Sequence, residues 1–208
     1  MMSTEGVGIY FLGFGGHARS VADVALAVGV NDMIFVDARA RPGETFAGFA
    51  TLTSLPVPLA AGWTLFPAMG ENLARKAAFG HHDHMPPKLI SPTATIGILA
   101  EVGPGTLVGH HAHIGPAAVI GRGVIINTGA VVEHECQVGD FSHISVNATV
   151  AGRTRIGSNV FVGAGATVID KISICDDVIV GAGATVVDHI LTPGTYVGTP
   201  ARLLDRVF

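Results

Sequence analysis

Residues 138–168 read VGDFSHISVNATVAGRTRIGSNVFVGAGATV. Every sixth residue of this stretch is Ile or Val: Val138, Ile144, Val150, Ile156, Val162 and Val168. Extended in both directions, the same period runs from Ile90 to Val186 without a gap or an insertion. Two positions before most of these apolar residues sits a small or β-branched one, such as Ala94, Thr106, Ala112, Ala130, Ala148, Thr154 or Ala166. Gly often follows the apolar residue, as at Gly97, Gly103, Gly109, Gly115, Gly121, Gly139, Gly157, Gly163 and Gly181. Neither a 3.6-residue helix nor an antiparallel strand generates a period of six. The pattern predicts a hexapeptide solenoid, in which six residues make one short strand and one turn and three such units close a triangular coil. The Ile or Val fills the interior, the small residue fits beside it, and Gly supplies turn conformations that a Cβ would penalise.

The first 79 residues follow a different rule. Ile9–Leu12 is a short apolar strand running into Gly13-Phe14-Gly15-Gly16, and Val21, Val24, Ala25 and Val28 then recur at helical spacing. Met33–Val36 is a second strand ending at Asp37, and Leu65–Met69 a third. A further helix follows Gly70, with Leu73, Ala74, Ala77 and Ala78 on its apolar side. Alternating strands and helices imply a small Rossmann-like parallel sheet. The expected fold is therefore α/β + β: an α/β domain over residues 1–79, a linker over 80–89 and a parallel β-helix over 90–208.

Composition narrows the function. Only 13% of residues are charged, and the net charge of −4 comes with no basic run, which argues against nucleic acid as partner. Mean hydropathy is +0.51, yet no window holds eighteen uninterrupted apolar residues, so no membrane span is expected. Two cysteines, Cys136 and Cys175, cannot make a disulfide framework, and no signal peptide is visible. A cytoplasmic protein is the expectation.

Two segments carry chemistry. Gly13-Phe14-Gly15-Gly16-His17-Ala18 fits G-x-G-x-x-[G/A] between a strand and a helix, a loop that presents backbone N–H groups to a pyrophosphate. Asp37 stands at the next strand end, placed to hold a ribose hydroxyl or read a base. In the solenoid, the Gly slot is filled by Asn127 and then by Glu133, and His134 lies between Glu133 and Glu135. A carboxylate that fixes an imidazole tautomer makes the ring a better general base. An eighteen-residue coil stacks position 134 between Pro116 and Gly152, and position 143 between Ile125 and Phe161. His134 and His143 are half a coil apart, so they point from opposite sides of one prism and meet only across a subunit contact. Cys136 falls in an inward small slot and reads as core, and Cys175 falls in a turn.

The periodic half resembles the hexapeptide-repeat acyltransferase superfamily, which implies a left-handed β-helix and trimeric assembly, and Val197-Gly198-Thr199-Pro200-Ala201-Arg202 matches its closing V-G-x-P-A-[KR] segment. The stretch Ile126-Asn127-Thr128 … Val132-Glu133-His134-Glu135-Cys136 … Ser142-His143-Ile144 … Ala151-Gly152 is similar to the active-site region of the PglD/NeuD-type sugar acyltransferases. The resemblance implies transfer of acetyl from acetyl-CoA to the amine of a nucleotide-diphosphate-linked 4-amino-deoxy sugar, directly and without a metal. It makes His134 the general base, polarised by Glu133 or Glu135, and Asn127 and His143 contacts to sugar or thioester. Gly13, Gly15, Gly16, His17, Asp37 and Gly70 would bind the nucleotide sugar. His143, Gly152 and Ala164 would approach the acetyl-CoA.

Three other readings stand beside it: O-acetylation of sialic acid or a related sugar, a non-catalytic nucleotide-sugar-binding protein, and a zinc hydratase of the γ-carbonic anhydrase type. The last would draw on His81, His82 and His84 in the linker or His110, His111 and His113 in the β-helix. The spacing H-H-x-H does not set three ligands around one centre within a subunit, and solvated turns are the expectation for these histidines.

Overall fold

A computed structural model describes residues 8–79 and 85–204; the linker histidines His81, His82 and His84 lie outside these. The first domain has the order β1 (Ile9–Leu12), α1 (Gly16–Ala27), β2 (Met33–Val36), β3 (Thr45–Phe46), β4 (Phe49–Leu52), β5 (Thr64–Pro67) and α2 (Asn72–Phe79). The sheet order is β3-β4-β2-β1-β5. All pairings are parallel except the β3–β4 hairpin, whose short strands of alternating exposure carry no apolar run to announce them. Phe11, Phe35 and Phe66 fill the core under α1, whose Ala18, Val21, Ala22 and Ala25 are fully buried.

The second domain is a parallel solenoid with three faces. The first face carries Leu89–Ile90, Leu107–Val108, Ile125–Ile126, His143–Ile144, Phe161–Val162 and Val178–Val180. The second begins at Thr95–Ile96 and ends at Thr185–Val186, and the third runs from Glu101–Val102 to Ser173–Ile174. Register advances by eighteen residues per coil, for example His113 to Val131 to Thr149. The six-residue Ile/Val column and the small-residue column both point inward and form one core. Cys136 is fully buried in the small column, and that burial pushes its thiol pKa up. Gly194–Val197 and Arg202–Leu203 extend the first face.

The glycines after the apolar column serve a different purpose from the one expected. Their backbones are not left-handed; instead, a Cβ at Gly97 or Gly115 would come within 2.4–2.5 Å of the next coil's backbone nitrogen. The left-handed residue falls two positions later, at Leu99, Gly105, His111, Ala117 and so on every six residues, and most of these are not Gly. Coil-to-coil approach, not turn conformation, selects the glycines.

The two domains share a seam along the first face. Leu89, Leu107 and Ile125 join the core of the first domain, and Phe79 meets Phe141 edge-on at 5.3 Å. The apolar face expected for α2 is not the buried one: Leu73 is 58% exposed, while Asn72 and Arg75 are buried. Asn72 and Arg75 meet backbone carbonyls of Val160, Gly123 and Phe141 in the solenoid, which require donors, not methyl groups.

Candidate active site

His134 stands at the corner between the second and third faces. Its Nδ1 lies 3.3 Å from Glu135 Oε1, and the other oxygen of Glu135 faces Arg153 Nε at 3.5 Å. Glu133 instead accepts the backbone N–H of His134 at 3.2 Å. Of the two flanking carboxylates, Glu135 is therefore the one that holds the ring. A proton on Nδ1, facing the carboxylate, leaves the Nε2 lone pair free. Nε2 lies under Gly152, one coil on, where a Cβ would stand 2.5 Å away. A cleft of about 180 Å³ opens here between His134, Gly152, Arg153, Asp170 and Lys171.

His143 lies on the first face, on the far side of the prism from His134, and it is buried against its own chain's first domain. Its Nδ1–H donates to Gly70 O at 3.3 Å. Its Nε2 accepts from Asn127 Nδ2 at 3.1 Å, and Asn127 Oδ1 accepts the Thr128 N–H at 2.8 Å. The His17 ring lies 5.9 Å from that of His143, packed on Gly70, and His17 Nε2 is buried without a partner. Burial lowers the His143 pKa to about 3, with the neighbouring His17 and Arg75 adding to the effect. Burial and then Arg75 lower His17 to about 4. Both imidazoles are neutral at physiological pH. Sequence reasoning placed Asn127, His143, His17 and Gly70 in the site, and the structure brings these four together. Ala164 is exposed at the corner between the first and second faces, away from His134 in the same chain.

The glycine loop forms a third element. Gly13 is left-handed (φ 108°) and donates to Val36 O. Gly15 and Gly16 face open space, and no side chain caps α1, so its first N–H groups remain available to an anion. Ala18 allows close contact of the helix with the sheet. Asp37 accepts N–H groups from Arg39 (2.9 Å) and Phe14 (3.2 Å); these bonds, led by that of Arg39, hold its carboxyl below the usual range. A pocket of about 240 Å³ lies between Phe14, Gly15, Asp37, Arg39 and Glu44.

Among the described residues the remaining histidines do not converge. His110 bridges the domain seam, with Nδ1 2.7 Å from Ser91 Oγ and Nε2 3.1 Å from Asp23, so it is a seam contact and not a solvated turn residue. His113 binds Thr95. Among the described residues no group of His, Cys, Asp and Glu could hold a metal ion, and no helix is long and apolar enough to cross a membrane. Sequence reasoning missed Arg75, Arg153 and Lys171.

Both domains are similar to known proteins. The family of the PglD N-terminal domain matches residues 8–81, and that of the bacterial transferase hexapeptide (six repeats) matches 153–188. The acetyltransferase domain of PglB from Neisseria gonorrhoeae, solved with acetyl coenzyme A, is 33% identical over 95% of this chain and 99% of its own, with a TM-score of 0.85. A GDP-perosamine N-acetyltransferase from Caulobacter crescentus, solved with CoA and GDP-perosamine as a histidine-to-alanine variant, is 32% identical over 96% of this chain and 97% of its own, with a TM-score of 0.88. WeeI from Acinetobacter baumannii shares the fold at 21% identity over 94% of this chain and 99% of its own, with a TM-score of 0.62. Comparison with curated proteins gives no match.

Solenoid, corner histidine and glycine loop together define a hexapeptide-repeat acyltransferase. Identity of about one third over almost the full length of both chains goes further. The chain belongs to the PglD/PerB-like N-acetyltransferases, whose β-helix is left-handed.

Proposed function

We propose that the protein transfers the acetyl group of acetyl-CoA to the amine of a nucleotide-diphosphate-linked amino-deoxy sugar, with a 4-amino sugar preferred. The observation that carries this reading is the His134–Glu135 pair, with one ring nitrogen held by a carboxylate and the other open beside Gly152. The glycine loop and Asp37 take the nucleotide diphosphate. The unpartnered His17 Nε2, with Gly70 and Asn127, meets the sugar. The related perosamine enzyme, solved with CoA and GDP-perosamine, supports this pair of substrates.

In the reaction, the sugar nitrogen attacks the thioester carbonyl carbon, a C–N bond forms and the C–S bond breaks. His134 Nε2 takes the proton from nitrogen and returns it to the departing thiolate, while Glu135 stabilises the transient imidazolium. The backbone at Gly152 flanks the thioester. No acyl-enzyme is required, and Cys136 is core.

The sugar-facing seam and the His134 corner lie on opposite sides of one chain, so each half-site needs a second copy. A homotrimer in which the His134 corner of one subunit faces Asn127, His143 and Ala164 of the next completes three sites. The test is a thiol-release assay with acetyl-CoA against UDP-, GDP- and dTDP-linked amino sugars. CoA release dependent on one of them is the expected result. Tight sugar binding with no thiol release from any would make the protein a binding module instead.

A further inference from the structure

Arg75 is 1% exposed. Its Nε donates to Gly123 O (2.6 Å), Nη1 to Met69 O (3.1 Å) and Gly70 O (3.2 Å), and Nη2 to Asn72 Oδ1 (2.8 Å), Phe141 O (2.7 Å) and Ser142 O (3.4 Å). A buried guanidinium ordinarily faces a carboxylate. Here, among the described residues, none lies within ion-pair distance. Burial brings its pKa down only to about 10, so it remains a cation whose charge is spread over carbonyl oxygens of both domains.

An anchor would need only the carbonyls of the β-helix. Arg75 also grips the loop of its own domain at Gly70, and Gly70 O is the acceptor for His143 Nδ1–H. That bond commits the His143 proton to Nδ1, leaving Nε2 to accept from Asn127. We infer that Arg75 is a positioning residue for the sugar half of the site: it fixes the Gly70 carbonyl, and through it the His143 tautomer and the Asn127 amide. The continuous path Arg75–Gly70–His143–Asn127–Thr128 runs from α2 to the corner between the first and second faces. Lysine cannot replace it, because a point ammonium with three donors does not span acceptors on three separate segments. The inference rests on the acetyl-transfer reading above for its kinetic consequence, not for its geometry.

The test combines kinetics with nitrogen-15 imidazole spectra of the intact protein, using the wild type, Arg75→Lys, Arg75→Met and Phe79→Ala. Phe79→Ala loosens the same seam by removing the contact with Phe141 while leaving Gly70 untouched. The expected result is a KM for the nucleotide sugar at least about tenfold higher in both Arg75 variants, with KM for acetyl-CoA within about twofold. Phe79→Ala keeps both constants at comparable loss of thermal stability. His143 should carry its proton on Nδ1 in the wild type and lose that signature in Arg75→Met. Wild-type KM in Arg75→Lys, or an equal rise in Phe79→Ala, would reduce Arg75 to an anchor. A His143 proton on Nε2 in the wild type would overturn the inference even where the variants do not fold. Absence of transfer by the wild type would instead count against the acetyl-transfer reading and leave the spectral test standing.

Discussion

Gly152 closes over the imidazole of His134, and a Cβ there would stand 2.5 Å from Nε2 and 2.7 Å from Cε1. The stack follows from the coil length, since position 152 is one turn of the solenoid beyond 134. The obstructed atoms belong to a half-exposed side chain that can swing away. Gly152→Ala should therefore fold normally, with Tm within a few degrees of wild type, but lose about 100-fold in kcat as the base is displaced. Thermal melts with steady-state kinetics check both halves.

Glu135 and Glu133 should separate. Glu135 touches the His134 ring, and Glu133 touches only its backbone N–H. Glu135→Gln should lower kcat by roughly 10- to 100-fold because the imidazolium loses its counter-charge, while Glu133→Gln stays within a fewfold of wild type. The opposite order would assign the orienting role to Glu133.

His17 and His143 make stability depend on pH. Their folded pKa values, about 4 and about 3, lie below the ordinary 6.5. Between these limits the unfolded chain takes up protons that the native state refuses, so stability falls as pH drops below 6.5. The slope reaches up to about 1.4 kcal/mol per pH unit for each ring. Melts between pH 6.5 and about 5, above the ordinary carboxylate range, should show Tm declining, and His143→Gln should flatten the decline. A Tm independent of pH in the wild type would contradict the neutral pair.

Asp37 joins the glycine loop to the end of β2 through Phe14 and Arg39. Asp37→Ala should weaken nucleotide-sugar binding by at least about tenfold and leave acetyl-CoA binding unchanged, as read by calorimetric titration of each ligand.

The solenoid was legible in the sequence because a six-residue register leaves no freedom: Ile90 to Val186 dictates the inward column, and eighteen-residue arithmetic stacks Gly152 on His134. The glycine loop was legible for a similar local reason, with Gly13, Gly15 and Ala18 each needed at fixed offsets. Arg75 was not. One arginine on a short helix reads as a solvated residue, and its burial depends on carbonyls at Gly123 and Phe141, 48 and 66 residues away. For the same reason Leu73, Ala74 and Ala77, all exposed, suggested the wrong face of α2, while Ala78 does pack against the first domain's core. The choice between Glu133 and Glu135 was not legible, because both are adjacent to His134 in sequence and only side-chain placement separates the ring contact of Glu135 from the backbone contact of Glu133.

The most direct test of the account is kcat/KM of His134→Ala on the preferred nucleotide sugar, measured beside its solution mass. A loss of about 10²- to 10⁴-fold is expected, with the assembly intact. Near-wild-type turnover in a correctly assembled His134→Ala protein would contradict it.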